Sequence, residues 1–280
     1  MTLAKTTADI FIPSGAAPET ALQGVTHLGI GAHQDDLEFG MFHGILHCYE
    51  TPGDGFCGVT CTDGAGSPRS GVYADCTDAD MRAIRRQEQR LAAQIGKYKA
   101  VFQLDFPSSE IKAGINPAFV ADLAAIIAAA RPKVIYTHNP ADRHPTHVAV
   151  MRHTLQALRG LPPGYRPEKF YGCEAWRGLD WMPHSRTRVL DVSSREHLAA
   201  SIWGVFDSQI AGGKRYDIAH FGRHHTNATM FASHGVDTMT GASYAMDLTP
   251  LLDNPTLEIR DFIGQIIDDF KSEVLGNLPK

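Results

Sequence analysis

The sequence predicts an α/β fold with a mostly parallel sheet, helices on both of its faces and a less regular C-terminal third. Three observations lead there. Short apolar runs alternate with longer stretches of helical period from residue 25 to about residue 160. That strand–helix order feeds parallel strands through crossover helices. The chain has 280 residues and 43% hydrophobic content, enough to bury a full core without disulfides. Chains of this class and length often form one domain, so 1–280 reads as a single unit.

The elements follow in order. Residues 1–22, rich in Thr, Ala and Pro, read as an extended N-terminal arm. Residues 25–31 form an apolar run ending in glycine, a buried strand. Residues 37–49 put Leu37, Met41, Ile45 and Cys48 on one helical face. Residues 56–62 read as a second strand, and the Asp-Gly-Ala-Gly-Ser-Pro stretch at 63–68 as a loop. Thr77 and Asp80 have capping-box spacing. Met81, Ile84, Leu91 and Ile95 follow at helical spacing as the apolar face of that helix.

A third strand spans 100–104. Asn116 and Pro117 supply a cap and a first-turn proline. The helix after them turns Phe119, Leu123, Ile126, Ile127 and Ala130 inward. A fourth strand covers 133–137. Beyond a loop at 138–146, Val148, Met151, Leu155 and Leu158 mark another helix, stopped by Gly160 and Pro162. The rest gives strands at 169–173 and 187–192, a helix near 195–210 opened by Ser193 and Glu196, and a strand at 243–248. The whole is a Rossmann-like three-layer arrangement.

Composition narrows the function. The net charge is −5 and no run of Lys or Arg stands out, so nucleic acid is not an expected partner. No segment approaches the ~20 apolar residues of a membrane helix, and the first residues lack a signal-peptide layout. A cytoplasmic protein that does not engage a membrane is the expectation; a homo-oligomer is compatible with it. Five cysteines, an odd number, do not make a disulfide scaffold. Cys57 and Cys61 read as packing residues on a strand.

Two segments carry the chemistry. Ala32-His33-Gln34-Asp35-Asp36-Leu37-Glu38 follows the first strand directly, and His144-Pro145-Thr146-His147 follows the fourth. In a parallel sheet both leave the carboxyl edge, where open α/β folds bind ligands. His33, Asp36 and His147 then form a two-imidazole, one-carboxylate set suited to Zn²⁺ with a position left for water. Asp35 projects differently from Asp36, stays unligated and acts on that water. His144 sits one turn before His147, free to face a substrate. The competing reading makes Asp35 or Asp36 a helix cap and the histidines polar loop residues.

These segments resemble those of the LmbE/PIG-L family of zinc-dependent N-acetylglucosaminyl de-N-acetylases. That family carries an Ala-His-Pro-Asp-Asp-x-Glu-like motif early and a His-Pro-Asp-His-like motif midway. Residues 60–66, Arg85-Arg86-Gln87-Glu88 with Ala92-Ala93-Gln94-Ile95-Gly96, Ser208-Gln209 and Tyr244-Ala245 add weaker likeness. The resemblance implies zinc on His33, Asp36 and His147. It makes Asp35 the general base, His144 the group that steadies the tetrahedral intermediate, and Arg85 a substrate contact. It also implies an N-acetylated sugar or sugar conjugate as the small-molecule partner. This chain departs from the pattern at Gln34 (usually Pro), Thr146 (usually Asp) and Phe206 (often His). Thr146 cannot tune His144 as an aspartate would; Asp142 is the candidate replacement.

The implied reaction is removal of an acetyl group from an amine. Bound Zn²⁺ lowers the pKa of water from 15.7 to about 7, Asp35 takes the proton, and a protonated His144 helps hold the oxyanion. Two other readings stay open. One is a nucleotide-dependent oxidoreductase, prompted by Gly29-Ile30-Gly31, although Gln34 stands where the third glycine belongs. The other is a metal-dependent binding protein without catalysis, prompted by Thr146. His224, His225 and Asp105 are weaker candidates, each more readily read as a surface residue.

Overall fold

The computed structural model describes residues 1–279. The chain runs β1 (Asp9–Phe11), α1 (Pro18–Leu22), β2 (His27–Gly31), α2 (Asp36–Gly40), α3 (Phe42–Glu50) and β3 (Phe56–Thr62). It continues through α4 (Asp78–Ile95), β4 (Ala100–Phe106), α5 (Ser108–Lys112), α6 (Pro117–Ala130), β5 (Val134–His138) and α7 (Pro145–Arg159). The last part holds β6 (Lys169–Cys173), β7 (Thr187–Asp191), α8 (Glu196–Trp203), α9 (Asp207–Ile210), α10 (Tyr216–Met230), β8 (Ala242–Asp247), α11 (Pro250–Asp253) and α12 (Ile259–Gly276).

The strands form one sheet in the order β1-β4-β3-β2-β5-β6-β8-β7. Strands β4, β3, β2, β5 and β6 are parallel neighbours. Strands β1, β8 and β7 close the two sides in antiparallel pairing. The order reverses direction at β2, with β3 on one side and β5 on the other, the kind of crevice in which open α/β sheets hold ligands.

Strand β2 shows how the two faces are built. Leu28 and Ile30 point into a core shared with Phe102, Phe119, Ile126 and Val150. Gly29 and Gly31 face the other way, toward a second core that holds Leu37, Phe42, Tyr136 and Trp203. A methyl group at Gly29 would lie 2.7 Å from Phe56 Cζ, and one at Gly31 only 2.9 Å from Asp36 Cβ. The glycines therefore let α2 sit directly on the strand end, which brings Asp36 over it. They are packing glycines, and this use leaves no sign of the dinucleotide loop.

The Thr77–Asp80 capping box and the Asn116 cap are both present. All five inward residues of α6 are buried. Other expectations need correction. Residues 1–22 are not a simple extended arm: Asp9–Phe11 pairs antiparallel with β4, and Pro18–Leu22 is helical. The helix expected at 37–49 breaks at Met41 (φ −122°). Leu37, Phe39, Met41 and Phe42 are all buried, on more sides than one straight stripe can cover. The 195–210 helix likewise splits after Trp203. Its start is Arg195 in the left-handed region (φ 53°), while the Ser193 hydroxyl binds Asp191 and the backbone at 240–241 instead. Helices α10 and α12 lie where the sequence showed no regular pattern.

Helix α4 departs most informatively. Leu91 is 48% exposed, and Ile84 and Ile95 are only half-buried. The buried face is Met81, Arg85, Glu88, Gln89, Ala92 and Ala93. Polar groups are inside because this face backs onto the site.

Candidate active site

Residues 27–29 of β2 pair in parallel with 134–136 of β5. The segments after the two strands therefore leave the same edge. One carries His33, Asp35 and Asp36; the other carries His144 and, in the first turn of α7, His147. One donor atom from each of His33, Asp36 and His147 lies within 4.8 Å of the others. The His33 and His147 rings are 5.3 Å apart. Asp36 is central: Oδ2 accepts from the His33 backbone N–H at 2.7 Å and lies 3.2 Å from its Nδ1, while Oδ1 lies 3.4 Å from His147 Nε2.

These residues fit a divalent cation. His147 is fully buried, and neither ring nitrogen makes a well-formed hydrogen bond. Such atoms are costly to bury without a partner. The donor set is that of three-ligand zinc sites with an open position. Burial pushes the Asp36 carboxyl up, but His147 and His138 outweigh it and hold Asp36 well below the usual carboxylate range. Burial holds His33 below the usual histidine range, so its imidazole is available as a neutral donor.

Supporting groups stand behind the candidate ligands. Asp142 Oδ1 lies 3.4 Å from His147 Nδ1 and accepts the His144 backbone N–H at 2.8 Å. Asp142 thus stands behind His147, where carboxylates support metal-binding histidines, and its charge also pushes the His144 pKa up against the effect of burial, the influence the sequence suggested. His138, at the end of β5, stacks on His147 with ring centroids 3.7 Å apart. Its Nε2 accepts from the Ala32 N–H at 2.9 Å. Sequence reasoning passed over His138; its place at the end of a predicted strand was the available signal.

Asp35 is held apart from the cluster. It is buried, with φ 95° in the left-handed region, a backbone state that costs of order 1 kcal/mol or more outside glycine. Its N–H donates to Gln89 Oε1 at 3.3 Å. Arg85 Nη2 donates to Asp35 Oδ2 at 3.1 Å and to the Gln34 carbonyl. Burial pushes the Asp35 carboxyl up to about 7, against the pull of Arg85 and with a further push from Asp36. Arg85 is itself 1% exposed; its Nη1 lies 3.8 Å from Glu88 Oε2, and neither Nη1 nor Nε makes a hydrogen bond. It belongs to the cavity wall, not to an exposed helix face.

Gln34 takes the place of a proline by bracing the turn. Its amide donates to the Thr62 carbonyl and to Gln103 Oε1. Burial and His147 pull His144 down to about 4, so its imidazole is neutral where the sequence suggested a protonated ring. Thr146 is buried and lines the cavity.

The site opens into a cavity of about 570 Å³. Its floor is His33, Asp35, Asp36 and His144, and its walls include Arg85, Gln209, Trp176 and Tyr216. His220 of α10 also lines it and stacks on Phe39 at 4.7 Å. His224 and His225, expected in a loop, sit on this same helix. His224 is buried with its ring 5.4 Å from Trp203, and His225 faces Thr240 and Glu196 outside. Asp105 is buried and paired with Arg86 at 3.2 Å, so it is neither solvated nor part of the cavity lining. Among the described residues no helix is long and apolar enough to cross a membrane.

Comparison with known proteins bears on the family and the fold. Residues 28–158 match the family model for PIG-L, GlcNAc-PI de-N-acetylase. That stretch contains every candidate ligand, Asp35, Arg85 and His144. Three solved structures share the fold at low identity. A conserved protein of Thermus thermophilus is 21% identical with a TM-score of 0.63, covering 83% of this chain and 98% of that one. The N,N'-diacetylchitobiose deacetylase of Pyrococcus horikoshii is 16% identical with a TM-score of 0.62, covering 83% and 88%. The 4-carboxy-2-hydroxymuconate hydratase GalB of Pseudomonas putida is 18% identical with a TM-score of 0.62, covering 80% and 96%. Residues 28–158 of this chain form a domain of the PIG-L, LmbE-like deacetylase family.

Proposed function

We propose that this protein is a zinc-dependent hydrolase that removes an N-acetyl group from an aminosugar or aminosugar conjugate. The observation that carries the reading is a buried carboxylate, Asp35, set on strained backbone beside a two-histidine, one-aspartate cluster at the floor of a 570 Å³ cavity. The family match supplies the reaction class.

A divalent ion on His33, Asp36 and His147 would polarise the acyl oxygen and lower the pKa of a water. The remaining work falls to the chain. Asp35 takes the proton of the attacking water. Its two partners, Gln89 on the backbone N–H and Arg85 on the carboxylate, keep it aimed into the cavity and off the ion. A base tuned toward neutral pH by burial suits that task. As the C–N bond breaks, the same proton passes to the departing amine. His144 is neutral and serves as a hydrogen-bond donor to the developing oxyanion, a role worth about 3 kcal/mol for a well-placed group. Arg85 lines the cavity beside Asp35 and is the proposed substrate contact. The apolar faces of Trp176 and Tyr216 suit the faces of a sugar ring.

The test is acetate release from a panel of N-acetylated sugars and conjugates, with zinc measured in the same preparation. Release that needs zinc supports the reading. A zinc-loaded protein that releases no acetate from any member would overturn it in favour of metal-dependent binding, or of another water-addition reaction on the same fold.

A further inference from the structure

We propose a second divalent-metal site, formed by His27, His47 and Asp54 at the sheet edge opposite the active site. One donor atom from each of these residues lies within 4.8 Å of the others. Three separate elements supply them. His27 opens β2, His47 lies in the last turn of α3, and Asp54 lies in the turn before β3. His47 Nε2 and Asp54 Oδ2 are 2.8 Å apart, and the His27 and His47 rings are 4.5 Å apart. The donor set repeats that of the active site, two imidazoles and one carboxylate, which suits Zn²⁺.

His27 and His33 are separated by the whole length of β2. At about 3.3 Å per residue that is ~20 Å, too far for the two clusters to share a bimetallic centre. His27 is 7% exposed and is set by the strand, so the site is anchored on one side. Thr26 Oγ1 lies 2.9 Å from its Nδ1 and accepts the Gly55 N–H, fixing ring and turn together. His47 and Asp54 are half-buried and already paired with each other. Burial and the neighbouring His47 hold His27 down to about 4, so its ring is neutral, as a ligand must be.

The site's role follows from what it joins. An ion there ties the end of α3 and the turn at 51–55 to the start of β2. This is the strand whose other end carries His33 and Asp36. The site is structural and takes no part in the acyl transfer.

The experiment is a zinc titration of metal-stripped full-length protein by calorimetry, with total zinc counted independently. Wild type is expected to bind two equivalents. His147→Ala should keep one saturable equivalent, held by the second cluster. In that background Asp54→Asn or His47→Gln should weaken the remaining binding by at least the ~10-fold that loss of even an outer partner costs. In the wild-type background, Asp54→Asn should bind one equivalent tightly and keep its circular dichroism spectrum and acetate release. The proposal is overturned if wild type binds one equivalent in excess zinc, or if Asp54→Asn and His47→Gln leave the second equivalent unchanged. Neither result depends on which substrate the active site takes.

Discussion

At Asp35 two demands meet in one residue. In the proposed reaction its carboxylate must stay close to the candidate ligand Asp36 without joining the ion, and it must remain a usable base in a buried site. The left-handed backbone at φ 95° turns it away from its neighbour, and Arg85 and Gln89 hold it there. Asn also tolerates this conformation, so Asp35→Asn should keep fold and zinc while kcat falls by about 10²–10⁴-fold, the range general-base catalysis supplies. Asp142 makes a separate prediction. Its carboxylate stands behind His147, 3.4 Å from Nδ1. Asp142→Ala should weaken zinc binding by about 10–100-fold, read by chelator competition, and saturating zinc should restore most of kcat. If zinc affinity stays unchanged, Asp142 does not orient His147.

At the level of elements, the sequence was legible wherever burial was apolar. Strands β2 to β6 and helices α6 and α7 follow from apolar period and, for α6, from the Asn116 cap. It failed where helix faces bury polar groups for the sake of the site. Helix α4 turns Arg85, Glu88 and Gln89 inward and leaves Leu91 outside. A purely apolar criterion reads that helix rotated. Helix α10, with His220 on the cavity and His224 against Trp203, gave no apolar stripe to find. The candidate ligands were readable because two short motifs follow two strands that pair in parallel. His138 and the orienting role of Asp142 were not, since both depend on contacts between elements. A stability comparison tests the observed face of α4. Leu91→Ser should change unfolding free energy by no more than about 0.5 kcal/mol. Ala92→Leu, at a fully buried position, should cost about 1–3 kcal/mol by overpacking. The reverse ranking in urea melts would restore the sequence-based face.

For the molecule as a whole, two cores on either side of one sheet pack beneath the active-site loops. The fold is shared by structures described as a hydratase and as a deacetylase, so architecture sets where chemistry happens while the residues at the edge set which reaction. Chelation should therefore remove activity and leave the far-ultraviolet circular dichroism intact. Added zinc should raise Tm through binding to the native state. Unfolding on chelation alone would show that the metal is part of the core. Burial also makes stability depend on pH at places remote from the site. His43 donates to or accepts from the Tyr136 hydroxyl at 2.9 Å, and burial pulls its pKa down to about 4. The unfolded chain binds its proton from about pH 6.5, so His43 subtracts stability as pH falls from 6.5 toward 4. On moving from pH 7 to 5, His43→Gln should gain on wild type by on the order of 1–2 kcal/mol. An unchanged difference between the two in denaturant melts would show that His43 titrates normally.

Diffraction at the zinc absorption edge from crystals grown with the metal addresses the central claim most directly. The account predicts an anomalous peak bounded by the imidazoles of His33 and His147 and the carboxylate of Asp36, with the Asp35 oxygens directed to Arg85 and off the ion. A peak ligated by Asp35, or no peak between those three side chains at full zinc loading, would contradict it.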